Sequence, residues 1–152
     1  MKRIRYLIFI LMVAAACKET FEAPPQSLVQ ISLLGSVSKK SITPTVSALG
    51  VGRDSLWILE EPLSQLLLPL SSIGSSAYLI SFDSTVDTLT IYHQTSLKYA
   101  SMETGFYYDY KLDSIYFTHN RIDSLQVADS LVTSKWHENI KLYIHPLPSG
   151  SN

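Results

Sequence analysis

The sequence contains a single cysteine, Cys17, among its 152 residues. Because a lone cysteine has no partner within the chain, an intramolecular disulfide and a zinc site built from several thiolates are both excluded. The folded state must therefore be stabilised by a hydrophobic core, and a chain of this length can bury one without cross-links.

Charged residues are also scarce, at 16% of the chain. Residues 1–16 hold three of the twelve basic residues and none of the thirteen acidic ones. The rest of the chain thus has nine basic and thirteen acidic residues, a formal charge of −4 (nine minus thirteen), without a basic cluster. This balance argues against a nucleic-acid partner and against electrostatic binding to membranes.

The N-terminus lacks an apolar run long enough to span a bilayer, since residues 6–13 fall far short of the ~20 residues required. The run follows the basic residues Lys2, Arg3 and Arg5 and ends in the small residues 14–16. This three-part layout is typical of a secretory signal, so residues 1–16 are predicted to form a signal peptide.

Cys17 follows the small residues directly, and residues 14–17 resemble the lipobox of bacterial lipoproteins, although leucine is commoner than alanine at the position of Ala14. We expect Cys17 to carry a covalent lipid such as palmitate, because acyl chains give a lone cysteine a role that needs no second thiol. The alternative is an ordinary signal peptide beside a free thiol. Lys18 stands where aspartate favours inner-membrane retention, so the outer membrane is expected, on its periplasmic or its outer surface.

The rest of the chain is predicted to form one all-β domain. Residues 17–27, with Pro24 and Pro25, predict a short tether, residues 28–147 the domain, and residues 148–152 a disordered tail. Short segments with period-two alternation predict about eight strands, each with one buried face. Their close spacing favours an antiparallel β-sandwich, immunoglobulin-like or transthyretin-like.

Three local patterns make more specific predictions. Residues 46–59 predict a hairpin with its turn near residues 50–54, and Pro69 predicts either an edge strand or the end of a strand. In residues 106–112, alternation predicts that the even-numbered residues face the core and that Tyr107 faces outward. Aspartate is followed by serine or threonine and then by an apolar residue at positions 54, 87, 113, 123 and 129; we interpret these segments as turns rather than as cation ligands.

Catalytic and metal-binding signatures are missing. The four histidines, at positions 93, 119, 137 and 145, have no short ligand spacing, and the chain has no Gly-x-Ser-x-Gly motif. We therefore expect no enzyme activity, no metal and no cofactor other than the lipid. Aromatic side chains are the remaining candidates for recognition, because exposed Tyr and Trp suit interfaces and sugar stacking. Tyr107, Trp57 and Trp136 are the predicted contact residues.

Six short segments occur in a distinctive order across residues 29–144. They are GVGRDSL at 50–56, LPL at 68–70, TVDTLTI at 85–91, GF at 105–106, IDSL at 122–125 and NIKLYI at 139–144. This order resembles a family of small Bacteroidota lipoproteins of unknown function. Members often carry a cysteine where this chain has Thr104. The resemblance implies an all-β, lipid-anchored domain and supplies no catalytic or binding residues.

Together these observations predict an envelope lipoprotein whose domain is a non-enzymatic interaction or structural module, held on the membrane by its lipid and docking on another envelope protein. The alternative is a module that binds a glycan or a small ligand beside an outer-membrane transport or adhesion system.

Overall fold

The computed structural model of the protein describes residues 23–147. The predicted signal peptide, the cysteine predicted to carry the lipid, the first part of the tether and the predicted tail lie outside the described residues. No helix that is long and apolar enough to cross a membrane occurs in the described part of the chain.

The described fold consists of ten strands, two more than expected. They are β1 (Leu28–Gly35), β2 (Thr45–Gly50), β3 (Leu56–Pro62), β4 (Gln65–Pro69), β5 (Ser75–Phe82), β6 (Thr85–Ser101), β7 (Gly105–Phe117), β8 (Ile122–Val127), β9 (Leu131–Val132) and β10 (Glu138–Ile144). The all-β prediction is confirmed. With only two residues, β9 is too short to show an alternating pattern.

The strands form two sheets, which confirms the predicted β-sandwich. The larger sheet has the order β3-β2-β5-β6-β7-β9, and the smaller one has the order β4-β1-β10-β8. Every strand pair is antiparallel except β1 and β10, which run parallel in the centre of the smaller sheet. The first and last strands of the described chain are therefore neighbours.

The core lies between the two sheets and consists of the inward residues of both. Its largest fully buried side chains are Ile31, Leu33, Leu66, Leu68, Ile80, Phe82, Leu89, Ile91, Ile122, Ile140, Leu142 and Ile144. Burying a side chain of this size contributes about 1.5–3 kcal/mol, so this core is the main source of stability.

Two of the local predictions are confirmed. β2 and β3 form the expected hairpin, and Gly52 has a φ of 80° in its turn, a conformation that glycine adopts without strain. β4 ends at Pro69 and is an edge strand, paired on one side with β1. The missing N–H of the proline therefore costs no hydrogen bond between neighbouring strands.

The hairpin of β6 and β7 is longer than its sequence pattern indicated. β5 pairs with β6 only as far as Tyr92, and β9 pairs with β7 only at residues 110 and 111. Beyond these limits, residues 95–108 project as a two-stranded element that we call the distal ribbon. Phe106 and Tyr108 were predicted to lie in the core, but they are exposed because they lie on this ribbon.

Asp87 is a fully buried carboxylate that organises the connection between the two sheets. One oxygen accepts hydrogen bonds from the Thr118 hydroxyl at 2.6 Å and from the Asn120 N–H at 2.8 Å. The other oxygen accepts from the N–H groups of Arg121 and Ile122, at 2.7 and 3.1 Å. These contacts fix the loop that leads from β7 in the larger sheet to β8 in the smaller one.

The prediction that the segments of aspartate followed by serine or threonine form turns is therefore wrong for Asp87 and confirmed for Asp129. Asp129 accepts a hydrogen bond from the N–H of Leu131, two residues along the chain, at 2.9 Å. This is the contact that defines an Asx turn.

Replacing Asp87 by alanine is expected to lower the free energy of unfolding by about 3 kcal/mol or more, because three main-chain N–H groups lose their acceptor. Urea unfolding followed by circular dichroism measures the change. Asp54→Ala is the matched control, since Asp54 is exposed in the β2–β3 turn and should change stability by less than about 0.5 kcal/mol. Equal effects of the two substitutions would contradict this account of the connection.

Candidate binding groove

Three aromatic side chains of the larger sheet hold the end of β4 in the smaller sheet. Each donates one hydrogen bond to a main-chain carbonyl. Trp57 donates to Leu67 at 2.7 Å, Tyr78 donates to Pro69, and Tyr110 donates to Leu70 at 2.9 Å. These bonds satisfy carbonyls at a sheet edge and the polar ends of the aromatic side chains at the same time. We call Trp57, Tyr78 and Tyr110 the three aromatic donors.

Burial controls the ionisation of the two tyrosines. Loss of solvent raises the pKa of Tyr78 to about 12, although the nearby Arg53 acts in the opposite direction. Burial also raises the pKa of Tyr110, with smaller contributions from Tyr108 and Asp109. Both hydroxyls thus remain protonated, and remain donors, at any physiological pH.

A groove with two adjoining parts opens beside these donors, and we call it the aromatic groove. Trp57, Pro69 and Leu70 line both parts. The larger part has a volume of about 480 Å³, and the smaller part has a volume of about 340 Å³. Trp57 lies at their junction with 50% of its surface exposed, so its indole is available to a ligand in either part.

The two parts differ in chemistry. In the larger one, Tyr78 lies among polar groups that include the Arg53 guanidinium and the hydroxyls of Ser55 and Ser71. The smaller part is lined mainly by aromatic, proline and leucine residues, with Tyr107 and Tyr108 among them. One end of the groove can therefore donate hydrogen bonds to a ligand, whereas the other offers apolar surface.

Two of the three predicted contact residues line this groove, and the third lies elsewhere. Trp57 and Tyr107 both line the smaller part. Tyr107 is half-buried there rather than fully outward, and its neighbours Phe106 and Tyr108 are more exposed. Trp136 lies outside the groove, 54% exposed, and donates a hydrogen bond to the carbonyl of Gln26 at 2.8 Å.

The described end of the predicted tether packs against the domain. Ser27 is buried, and its hydroxyl donates to the carboxylate of Asp109 at 2.8 Å. Pro24 and Pro25 line the smaller part of the groove. The chain therefore enters the domain along the wall of the groove. The composition of the tether did not indicate this contact.

A buried serine–histidine pair supports the floor of the groove. His93 Nε2 lies 3.3 Å from the hydroxyl oxygen of Ser76, which also accepts a hydrogen bond from the N–H of Ser71 at 2.7 Å. Burial lowers the pKa of His93, opposed by the charge of Asp113. Within the described residues, Nδ1 of His93 has no hydrogen-bond partner, so the pair lacks the carboxylate that orients the histidine of a catalytic triad.

The other histidines lie away from the groove. The side chains of His137 and Asp129 are hydrogen-bonded at 2.9 Å, and His145 lies 3.5 Å from Asp123. Across residues 23–147, no group of three or more histidine, cysteine or acidic side chains is placed to hold a metal ion.

Similarity to a known protein family tests the resemblance that the six sequence segments indicated. The sequence model of DUF6452, a family of unknown function, matches residues 44–144. The chain belongs to the DUF6452 family. The match contains all six segments that carried the resemblance, so the resemblance to a family of unknown function is confirmed to that extent. Within the DUF6452 match lie the three aromatic donors and Tyr107, whereas β1 precedes it. No curated protein and no solved structure matches the chain significantly.

Tyr78→Phe should change the alkaline stability of the domain. The pKa of Tyr78 in the folded state lies above its ordinary value of 10.0. The stability that its protonated hydroxyl contributes to the folded domain is therefore complete below pH 10 and is lost as the pH rises towards 12. The variant is expected to be about 1 kcal/mol less stable at pH 8, where the hydrogen bond to Pro69 is missing. Its further loss of stability between pH 10 and 12 should be smaller than that of the wild type.

Urea unfolding at a series of pH values measures both effects. Tyr116→Phe is the control, since Tyr116 is an exposed tyrosine outside the groove. The same alkaline loss in Tyr78→Phe as in the wild type would show that this buried hydroxyl does not cause it. Equal stability of the two proteins at pH 8 would show that the hydroxyl does not hold β4.

Proposed function

We propose that this DUF6452 protein is a non-enzymatic interaction module of the bacterial cell envelope, anchored by a lipid on Cys17, with the aromatic groove as its binding surface. The observation that carries the proposal is the position of Trp57. Its indole is half-exposed at the junction of both parts of the groove, yet its N–H is fixed on the Leu67 carbonyl.

A side chain held in this way suits binding. Tryptophan and tyrosine are enriched among the residues that contribute most to binding energy at interfaces. An indole that is already fixed loses little conformational entropy when a ligand covers it. The groove therefore combines a large apolar contact area with a small entropic cost.

The sequence around Cys17 supports the anchor. A basic segment, an apolar run and small residues precede the cysteine, as in secretory signals. Acylation with two or more chains anchors a protein stably without a transmembrane helix. The outer membrane of a Gram-negative bacterium, Bacteroidota in particular, is the proposed location.

The lining of the groove supports a binding role over a catalytic one. Its titratable side chains are Arg53 and tyrosines, two of which have pKa values raised by burial. None of its described lining residues is a carboxylate or a histidine, the groups that most often transfer protons in enzymes.

An envelope protein is the leading partner, because the lining of the smaller part of the groove is mainly apolar. A glycan is the second candidate, and the larger part of the groove favours it. There the exposed indole of Trp57 lies beside the Arg53 guanidinium and several serine hydroxyls, which can donate to sugar oxygens.

Replacing Cys17 by serine tests the anchor. The variant is expected to incorporate no labelled palmitate and to accumulate as unprocessed precursor, because the thiol that accepts the lipid is missing. Metabolic labelling and the mass of the product measure both effects. Normal processing of Cys17→Ser would refute the lipoprotein proposal while leaving the groove untouched.

Trp57→Ala tests the groove, and Trp136→Ala is its matched control. Both tryptophans are about half-exposed, and each donates one hydrogen bond to a main-chain carbonyl. Trp57→Ala is expected to weaken binding about tenfold or more, whereas Trp136→Ala should keep it near the wild-type level.

The measurement is photo-cross-linking in intact cells, followed by titration of the captured protein or of isolated envelope glycan with each variant. If Trp57→Ala no longer binds the captured protein, the groove is a protein-docking site. If Trp57→Ala no longer binds the glycan, the groove is a glycan-binding site. Equal binding by the two variants would be evidence against the groove as the binding surface.

A further inference from the structure

The distal ribbon has an uncovered apolar face. Leu97 pairs with Tyr108 and Tyr99 pairs with Phe106 across the two strands. These four residues continue the inward face of β6 and β7 past the limit of the neighbouring strands, and all four are exposed. Met102 lies at the turn with 96% of its surface exposed.

We propose that this face of the distal ribbon contacts the lipid surface of the membrane in which the chain is anchored. The inference rests on the lipid anchor of the proposed function and adds an orientation to it. The ribbon would then fix one end of the sandwich against the bilayer, instead of leaving the domain to tumble on a tether.

The position of the anchor brings the ribbon within reach of the membrane. Pro24 and Pro25 line the smaller part of the groove together with Phe106 and Tyr108. Cys17 precedes Ala23 by six residues, and six extended residues span at most about 22 Å. A lipid on Cys17 therefore keeps the bilayer surface close to the end of the sandwich that carries the ribbon.

The opposite end is farther from the anchor. β1 begins at Leu28, beside the smaller part of the groove, and ends at Gly35, where the Val37 turn follows. Seven strand residues advance by about 23 Å, so the Val37 end lies roughly that much farther away. Val37 is itself 83% exposed.

The chemistry of the ribbon fits the interface of a bilayer. Tyrosine is enriched there because its ring is apolar while its hydroxyl stays hydrated. Tyr99 and Phe106 pack edge to face with ring centroids 5.3 Å apart, which gives the face a defined shape. Within residues 95–108, the charged residues are Lys98 and Glu103, which cancel, so attraction to anionic lipid is not required.

Tryptophan fluorescence tests the proposal on the full-length lipidated protein. Met102→Trp places a reporter at the turn of the ribbon, and Val37→Trp places a matched reporter at the opposite end. Both positions are highly exposed, so neither substitution disturbs the core. Each variant is reconstituted into phosphatidylcholine vesicles with or without brominated acyl chains, and the wild type gives the background from Trp57 and Trp136.

Brominated lipid is expected to quench the added fluorescence of Met102→Trp about twofold or more beyond that of Val37→Trp, because indole at the interface lies near the acyl chains. The difference should persist at high salt, since it arises from an uncharged face. Equal quenching of the two reporters, or a difference that vanishes at high salt, would overturn the membrane contact. A dimer that buries the Met102→Trp reporter without quenching by lipid would assign the face to a second copy and would also overturn it.

The same samples separate this inference from the proposed anchor. Mass spectrometry and co-sedimentation with vesicles report the lipid on Cys17 independently of the reporters. An unlipidated protein that stays in solution would refute the anchor and, with it, the membrane contact. A lipidated, vesicle-bound protein with an unquenched Met102→Trp reporter would refute the contact alone.

Discussion

The attachment of the end of β4 to the larger sheet is the constraint on which the groove depends. β4 is an edge strand; the indole of Trp57 and the hydroxyl of Tyr78 bind two of its carbonyls, and the hydroxyl of Tyr110 binds the carbonyl of Leu70, the residue after the strand. The same rings form the walls and floor of the aromatic groove. The contacts that close one side of the sandwich therefore also shape the proposed binding surface, and a change in one would alter the other.

The two ends of the sandwich differ in chemistry. At one end lie the groove, the entry of the N-terminal segment and the distal ribbon. The other end is fixed by polar contacts, since Arg121 binds the Asp83 carboxylate at 2.5 Å and the His145 carbonyl while Asp87 holds the adjoining loop. The charged network stabilises the connection between the sheets, whereas the aromatic end carries the proposed binding surface.

Period-two alternation predicted the β2–β3 hairpin and the sandwich, because it reports which side chains face the core, and Pro69 marked the edge strand. Alternation does not report how far the opposite sheet extends, so Phe106 and Tyr108 were assigned to the core although they lie on a projecting ribbon. The role of Asp87 and the parallel pairing of β1 with β10 arise from long-range contacts that a local pattern does not contain. Residue type selected Trp57, and residue type together with alternation selected Tyr107, but only the topology brings them into one groove.

Oxidative footprinting of the two tryptophans tests the central claim, that the aromatic groove is occupied in the cell, most directly. Trp57 and Trp136 are 50% and 54% exposed, so they should oxidise to similar extents in the purified protein. In intact cells, the account predicts that the oxidation of Trp57 falls severalfold relative to that of Trp136, because a ligand covers the groove. An unchanged ratio between purified protein and cells would contradict the account.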